Sequence, residues 1–392
     1  MIAMNLCLTF PAGRTLGVAI AARRHMGVQL LDVERPVGVI GGGLAGVTAA
    51  RLIAAAGLPV VLHERDPQCG GRLGAVQLQR SSPLVAGMGC SYIKATDPLF
   101  QAQLDAWAQD GLVQEWTTAN PHTISAPGVW SSLPLEEGER WYSGRPHMGS
   151  LAELTADEQR LIDVQRGAVY DANFEASTWV LATQVDDTGA EGAATEGTIE
   201  SHLHSDLIIA TPVSDAQAFL ERKLLDRALG RARHKDFLKE RVAATFVFER
   251  GLDLPFNFAV LSCSPITVAI CDSDRLGESG SAPEVWVVQS DTKWAAKALD
   301  DRRELPDLAS ELLAEFGAAL GLGELPAVRE SVATVWAYGD MDYGLEGGCV
   351  WLDDLRLGLA GDWAYDGRVE GAWLSGRAAA RKLLAARGLD TM

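Results

Sequence analysis

The longest apolar stretch of the chain covers residues 37–62, and its pattern changes twice along the way. It opens with a β-branched run over 37–40, which has the length of a buried strand. Closely spaced glycines then lead into an Ala-rich segment of helical length that ends at Gly57, and residues 59–62 have strand length again. This pattern predicts a strand, a tight turn, a helix and a second strand, which together form one βαβ unit.

The turn carries a Gly-x-Gly-x-x-Gly spacing at Gly41, Gly43 and Gly46. In such a turn the first glycine permits a sharp reversal, the second lets the backbone approach a pyrophosphate, and the third lets the helix pack closely on the strand. The phosphates would lie on the free N–H groups at the positive end of the helix dipole. Glu64 ends the second strand, close to the roughly 20-residue spacing of a ribose-binding acid. The unit predicts a dinucleotide site, and the alternative is a structural turn without a nucleotide.

The continuation Gly70-Gly71-Arg72-Leu73 favours FAD over a nicotinamide dinucleotide. A second glycine pair lets the backbone pass the flavin's phosphates again. Arg72 can offer its guanidinium to the diphosphate or help to position the isoalloxazine end.

The end of the chain supplies the expected partner of this N-terminal unit. Residues 355–360 alternate as a strand that Gly361 and Asp362 end, and a helix rich in small residues begins at Val369 and runs to about residue 386. Asp362 can accept a hydrogen bond from a ribityl hydroxyl. Backbone N–H groups near Gly371 can approach the pyrimidine side of the flavin ring, where the positive helix end stabilises negative charge. The alternative is a final strand and helix that only complete the sheet.

Between these units the pattern predicts further helices and strands. Helices are expected over residues 97–113, from 151 to 161, over 214–240 and over 305–320. Short strands are expected at 162–164, 168–170, 179–182 and 207–211, with loops and short strands over 117–147 and an acidic loop over 186–201. Residues 242–248, 258–261, 267–270, 285–289 and 332–338 are rich in Val, Phe and Thr, which indicates the antiparallel sheet of a second domain.

Composition limits the classes of function. The chain has 392 residues, of which 47% are hydrophobic and 22% charged, and its net charge is −18. This is a globular composition with room for two domains. The acidic balance argues against nucleic acid and anionic membranes as partners. The apolar stretch reaches transmembrane length, but Arg51 in its middle and the glycine turn fit a buried unit better, so no membrane span is expected.

The cysteines and the N-terminal residues bear on the compartment. The six cysteines show no CxxC spacing, so reduced thiols are expected and no metal site is predicted. Residues 1–35 contain several arginines and no acid before Asp32. This leader resembles an organellar transit peptide or reflects a wrong translation start. The expected location is cytoplasmic, or organellar if the leader is a transit peptide.

These motifs together resemble the renalase-like members of the FAD-dependent amine oxidase superfamily, over roughly residues 37–387. The resemblance rests on VIGGGLAG, GGRL and LIIATP, and above all on the more specific ending LGLAGDWAYDGRVEGAWLSGRAAA. It implies an α/β two-domain fold like that of p-hydroxybenzoate hydroxylase, with a Rossmann-like FAD-binding domain and a second domain built on an antiparallel sheet. The FAD-binding domain is expected over 36–80, 148–222 and 340–392, and the substrate domain over 81–147 and 223–339.

The resemblance also implies a cofactor, a reaction and a set of site residues. FAD is expected to bind non-covalently. The residues expected to contact it are Gly41, Gly43, Leu44, Ala45, Gly46, Glu64, Arg65, Gly71, Arg72, Leu73, Val164, Thr211, Gly361, Asp362, Val369, Glu370, Gly371 and Ala372. The implied reaction oxidises isomeric forms of NAD(P)H to NAD(P)+, with O2 as electron acceptor and H2O2 as product. Hydride would pass directly to the flavin, so the site has to align two rings and exclude water, and no catalytic acid or base is predicted.

Candidates for the substrate pocket are Tyr92, Asp272, Trp336 and Tyr338. Family members often have Trp-Arg-Tyr where this chain has Trp336-Ala337-Tyr338, and an amide near the position of Asp272. Both departures lower the attraction for a phosphate-bearing substrate. An amine oxidase or desaturase is therefore an alternative, with Trp336, Tyr338 and Tyr343 as an aromatic cage. A flavin-binding protein without catalysis is a further alternative.

Overall fold

A computed structural model of the chain describes residues 6–9, 15–18, 35–78, 84–87, 89–90, 92–185, 198–229, 239–277, 283–336, 345, 347–365 and 367–389. The chain divides into two compact units, residues 1–34 and residues 35–392. In the first unit, β1 (Leu6–Thr9) and β2 (Thr15–Val18) form an antiparallel hairpin. All other elements belong to the second unit.

The described α-helices are α1 (Leu44–Ala55), α2 (Pro98–Gln109), α3 (Val213–Phe219), α4 (Arg222–Leu229), α5 (Asp272–Arg275), α6 (Thr292–Asp300), α7 (Leu305–Leu320) and α8 (Val369–Ala386). The strands up to the middle of the chain are β3 (Val37–Ile40), β4 (Val60–Glu64), β5 (Ala75–Leu78), β6 (Leu84–Gly87), β7 (Val113–Glu115), β8 (Pro121–Ala126), β9 (Val129–Ser132), β10 (Tyr142–Gly144), β11 (Ile162–Arg166), β12 (Ala168–Glu175), β13 (Thr178–Val185) and β14 (Thr198–His204). The later strands are β15 (Leu207–Ile209), β16 (Arg241–Phe248), β17 (Phe258–Leu261), β18 (Ile266–Cys271), β19 (Glu284–Ser290), β20 (Val328–Trp336), β21 (Val350–Leu352) and β22 (Leu357–Leu359).

A six-stranded sheet in the order β11-β4-β3-β15-β22-β21 forms the centre of the nucleotide-binding part. Its first five strands are parallel, and β21 is antiparallel to β22. Helices α1 and α8 pack on one face of this sheet, while α3, α4 and the antiparallel sheet β12-β13-β14 pack on the other. The predicted α/β fold with a Rossmann-like sheet is confirmed. Because carboxyl ends of parallel strands meet at one edge, the segments after β3, β4, β15 and β22 converge there.

Two glycines allow α1 to lie close to its neighbours. A Cβ added at Gly46 would lie 1.9 Å from the carbonyl oxygen of Gly41. A Cβ added at Gly376 of α8 would lie 2.1 Å from the carbonyl oxygen of Ala45. Any side chain at either position would push α1 away from the turn or from α8, as expected for the third glycine of the motif.

The predicted antiparallel sheet is present with seven strands in the order β20-β16-β19-β18-β17-β8-β9. Its pairs are antiparallel except for β17 and β8. Helix α7 covers one face, where Phe246, Trp286 and Phe316 are fully buried. The other face carries Phe258 and Val287, which pack against Trp141 and Tyr92.

Several predicted elements have different limits in the structure. Residues 214–240 were expected to form one helix, but α3 and α4 are separated at Leu220, which is extended, buried and bridged to Ala172 of β12. Burial of this leucine on the sheet outweighs helix propensity. Residues 230–238 lie outside the described residues.

The other differences have equally local causes. The helix predicted from Leu151 is replaced by two 3₁₀ turns, Met148–Ala152 and Glu158–Arg160. The prediction of an acidic loop over 186–201 was wrong for its last residues, because Thr198–His204 forms strand β14, which pairs with β13. Helix α2 ends at Gln109 rather than near 113, because Val113 pairs with Gly144 in a two-stranded sheet. The division of 36–392 into two discontinuous domains stays a prediction.

Candidate functional site

The glycine turn after β3 is hydrogen-bonded to the end of β4 through one backbone carbonyl and one carboxylate. Gly41 has a φ of +101°, and its N–H donates to the carbonyl oxygen of His63 at 2.9 Å. The Gly42 N–H donates to Glu64 Oε2 at 2.6 Å, and the Asp66 N–H donates to Glu64 Oε1 at 2.8 Å. Burial raises the pKa of the Glu64 carboxyl above its ordinary value. Glu64 therefore braces the turn, and its remaining lone pairs lie where a ribose acid was predicted.

Gly43 is different from the other motif glycines, because no described residue around it requires a glycine. Its φ of −70° and ψ of 175° suit any residue, and a Cβ there would meet no atom of the described residues within 4 Å. It is the N-cap of α1 and offers no side-chain cap. The N–H groups of residues 44–46 precede the first intrahelical hydrogen bond, from Val47 N to Gly43 O. These donors and the open space at Gly43 form a cradle of a kind that can bind a pyrophosphate.

The second glycine pair lies directly beside this cradle. The Gly70 N–H donates to the Gly42 carbonyl oxygen at 2.9 Å, and Gly70 forms a bridge with Gly43. Gly70 and Gly71 have φ values of +143° and +53°, which a side chain would strain. Leu73, one turn further, is buried against α2 and α8 residues. The two glycine motifs thus form one continuous backbone surface.

Arg72 connects this surface to the C-terminal unit. Its Nη2 lies 2.5 Å from Asp362 Oδ1, and the Arg72 side chain is 33% exposed whereas that of Asp362 is 6% exposed. Asp362 Oδ1 also accepts the Trp363 N–H at 2.9 Å, and the Gly361 N–H donates to Ser375 Oγ at 2.9 Å. The predicted phosphate-binding and ribityl-binding residues are therefore one ion pair.

The start of α8 follows Asp362 and Trp363 after a short turn. The first intrahelical hydrogen bond runs from Ala372 N to Arg368 O at 3.0 Å, so the N–H groups of residues 369–371 precede it. The Glu370 carboxylate, by contrast, is bonded to Thr96 and Asp97 of the loop before α2. Any contact of Glu370 with a cofactor would use its backbone.

The remaining predicted cofactor residues occupy varied positions. Leu44 and Ala45 are buried in the first turn of α1. Arg65 is largely exposed and pairs with Asp215 at 3.2 Å. Val164 lies in β11 opposite Leu62 of β4. Thr211 follows β15 at the same sheet edge, and its methyl group lies near Gly41.

Arg166 is a further charged residue at this edge, and the sequence motifs do not indicate it. Arg166 ends β11, and its Nη1 donates to the Asp66 carbonyl oxygen at 3.0 Å and lies 3.9 Å from Cys69 Sγ. It supplies a cation beside Glu64. Its position at the carboxyl end of a parallel strand is the signal that could have identified it.

The pocket candidates are spread over the second sheet. Tyr92 stacks on Trp141 at 3.9 Å between ring centroids and meets the edge of Phe258. Trp336 ends the edge strand β20, opposite Arg241. Four strand spacings separate β17 from β20, roughly 19 Å. Tyr338 and Tyr343 lie outside the described residues.

Asp272 is held in a buried ion pair. Its carboxylate binds the Arg275 guanidinium three residues on, both side chains are at most 2% exposed, and Asp272 Oδ2 accepts the Gly87 N–H at 3.2 Å. The charge that the sequence suggested as repelling a phosphate is therefore neutralised by Arg275. Asp272 anchors the strand β6 to the seven-stranded sheet.

Comparison with known proteins gives matches to parts of the chain. A family model described as an NAD(P)-binding Rossmann-like domain matches residues 39–106. A methylenetetrahydrofolate–tRNA-(uracil-5-)-methyltransferase of Microcystis aeruginosa is 40% identical over 68 residues, which is 14% of this chain and 15% of that protein. A carotenoid phi-ring synthase of Streptomyces griseus is 57% identical over 37 residues, which is 9% of this chain and 7% of that protein. The chain thus matches at most about a sixth of the length of these relatives.

Solved structures share the fold over most of the chain. A candidate protoporphyrinogen oxidase from Exiguobacterium sp. matches 90% of this chain and 98% of its own, with a TM-score of 0.62 and 11% identity. A double mutant of putrescine oxidase, redesigned in its cofactor binding, matches 90% of this chain and 99% of its own, with a TM-score of 0.58 and 13% identity. This likeness concerns the fold. Within the described residues, no helix combines the length and apolarity that crossing a bilayer requires.

Proposed function

We propose that the chain is an FAD-dependent oxidoreductase of renalase type, which oxidises isomeric forms of NAD(P)H to NAD(P)+ and passes the electrons to O2. The single observation that best supports a bound dinucleotide in this position is the open cradle at Gly43. A glycine with ordinary dihedrals and free space around its Cβ is needed by a ligand and not by the fold.

The residues around the cradle fit FAD. The N–H groups at the start of α1 would bind the pyrophosphate, Glu64 the ribose, and the Arg72–Asp362 pair the diphosphate and ribityl chain. The N–H groups at the start of α8 would lie at the pyrimidine side of the ring. FAD, when bound, supplies hydride acceptance and electron transfer to O2. The protein binds the cofactor, orients the substrate ring and excludes water.

The proposal of a dihydronicotinamide substrate is supported by the sequence resemblance and by the electrostatic environment of two pocket candidates. Asp272, an acid that would oppose an anionic substrate, is neutralised by Arg275. The Tyr92 phenol is neutral at physiological pH, as at its ordinary pKa of 10, and burial raises this pKa further. Hydride transfer requires alignment rather than a titrating base, so these features suit it. The free thiols at Cys69, Cys90, Cys263, Cys271 and Cys349 fit the reducing, cytoplasmic compartment that we propose.

Amine oxidation is the second candidate. The stacked pair Tyr92 and Trp141, with Phe258 at its edge, offers an aromatic wall on the face of the seven-stranded sheet. Aromatic faces bind cations, and one structure with this fold is a putrescine oxidase. The same aromatic residues belong to a hydrophobic cluster with Trp116 and Val287. Because packing in this cluster already explains them, we rank amine oxidation second.

Anaerobic mixing of the protein with each class of substrate distinguishes dihydronicotinamide oxidation from amine oxidation. The purified protein should be yellow, and isomeric dihydronicotinamides made by borohydride reduction of NAD+ and NADP+ should bleach its flavin rapidly. A panel of primary and secondary amines should leave the flavin oxidised. Rapid bleaching by amines alone would overturn the first proposal in favour of the second, and a flavin that nothing bleaches would indicate a non-catalytic role.

A further inference from the structure

Glu370 is a buried acid at the start of α8 whose charge is held by neutral donors. It is the second residue of the helix and is 6% exposed. Its Oε2 accepts the Thr96 N–H at 2.5 Å, and its Oε1 accepts the Thr96 hydroxyl at 2.7 Å and the Asp97 N–H at 3.0 Å. Two backbone N–H groups and one hydroxyl therefore converge on one carboxylate, an arrangement that suits the ionised, acceptor-only form.

These contacts join two helix starts that are far apart in sequence. Asp97 caps α2 by accepting the Leu99 N–H at 2.7 Å, while the Glu370 carboxylate binds the N–H of Asp97 itself. Beneath this junction Phe100 of α2 packs on Trp373 of α8, with ring centroids 5.6 Å apart. The position of the carboxylate relative to the first turn of α8 is therefore fixed by packing as well as by hydrogen bonds.

A carboxylate in this place reduces the positive electrostatic potential at the N-terminus of α8. The helix N-terminus carries roughly half a positive charge, whereas Glu370 brings a full negative charge into its first turn. Reduced flavin carries negative charge near N1 and C2=O, which under the proposed function lies in front of the N–H groups of residues 369–371. Charge near this part of the ring tunes the electronics of the cofactor.

We infer that Glu370 is a positioning residue that lowers the reduction potential of the bound flavin, through its negative charge, while holding the start of α8 against the loop before α2. The inference rests on the proposed function, since it requires FAD with its pyrimidine side at α8. A lower potential makes the reduced cofactor a stronger donor to O2. The hydrogen bonds from Thr96 and Asp97 partly offset the negative charge of Glu370. Loss of one of these donors should therefore lower the reduction potential, whereas loss of the charge should raise it.

The test compares the midpoint potentials of bound FAD in two variants of the full chain. Glu370→Gln removes the charge and should shift the potential to more positive values. We expect about a tenfold change in the ratio of affinities for reduced and oxidised flavin, which is ~30 mV for a two-electron couple. Thr96→Val removes one donor to the carboxylate and should shift the potential to more negative values. Both variants should unfold at lower temperature, because each loses buried hydrogen bonds.

The opposite signs separate electrostatic tuning from a purely structural role. Glu158→Gln is the matched control, because it breaks the ion pair with Arg51 of α1 and should leave the potential unchanged. Lower melting temperatures with unchanged potentials in both variants would overturn the inference and leave the proposed function intact. If Glu370→Gln does not fold, the sign of the Thr96→Val shift decides. A wild-type protein that binds no flavin would refute the proposed function, and this inference with it.

Discussion

Arg72 and Asp362 lie 290 residues apart in sequence and form an ion pair, with Arg72 Nη2 2.5 Å from Asp362 Oδ1. The pair joins the Gly-Gly-Arg arm to the segment after β22. One carboxylate thus serves both ends of the proposed cofactor site, because Asp362 orients the arginine and also faces the region predicted for the ribityl chain.

Asp362→Ala should weaken FAD binding by about 1–3 kcal/mol, the range for losing one partner of a charged hydrogen bond. Titration of the apoprotein with FAD, followed by flavin fluorescence, measures the change in Kd. Asp354→Ala is the control, because Asp354 forms an exposed ion pair with Arg227 at 2.7 Å and should leave the Kd unchanged. An unchanged Kd in Asp362→Ala would mean that the C-terminal unit lies away from the cofactor.

Gly43→Val should yield a folded protein that purifies without flavin. The backbone of Gly43 accepts a side chain without strain, so the branched residue occupies the pyrophosphate space and nothing else. Gly323→Val is the matched control, since a Cβ at Gly323 also meets no atom of the part of the chain that the structure describes within 4 Å. The flavin-to-protein absorbance ratio should fall only in Gly43→Val. Stoichiometric FAD in that variant would refute the placement of the cradle.

Two buried histidines should make the fold sensitive to acid. His63 Nε2 and His204 Nε2 lie 2.9 Å apart, and among the described residues the buried His63 Nδ1 has no hydrogen-bond partner. Burial, and then the neighbouring imidazoles, lowers the pKa of His63 to about 3, and burial lowers that of His204 to about 4.

The sign of this effect follows from proton uptake. Between the ordinary pKa of 6.5 and these folded-state values, the unfolded chain binds more protons than the folded one. The free energy of unfolding should therefore be highest above pH 6.5 and decrease as the pH falls towards about 3. Urea unfolding of His204→Gln should show a shallower decrease, whereas His122→Gln should follow the wild type. Equal slopes in all three proteins would exclude the pair as the source.

Flavin reduction by a dihydronicotinamide isomer should be nearly independent of pH between about 6 and 9, because no protein group titrates in direct hydride transfer. Stopped-flow reduction of His122→Asn and His147→Asn should stay within a few-fold of wild type. Trp336→Ala removes a proposed pocket wall and should slow reduction by about tenfold or more. A sigmoid profile abolished by one histidine variant would contradict this mechanism, and a steep rise with pH would instead match deprotonation of an amine.

Much of the nucleotide-binding unit could be predicted because its information is local. The strand, turn and helix over residues 37–57 follow from β-branched, glycine and alanine runs, and the limits of α7 and α8 follow from their periodicity. The role of Gly46 could also be derived, since a glycine at that spacing serves close packing wherever the turn occurs.

Tertiary structure decided which partner each side chain takes. Leu220 leaves its helix to pair with Ala172, Asp272 is neutralised by Arg275, and Glu370 binds the loop before α2 instead of pointing at a cofactor. Hydrophobic periodicity indicates which residues face the core. It does not indicate the partner of a polar side chain, because the sequence offers several residues that could form the same hydrogen bond or ion pair. The choice among them depends on distances set by the packing of whole sheets, and it is made only when the chain is folded.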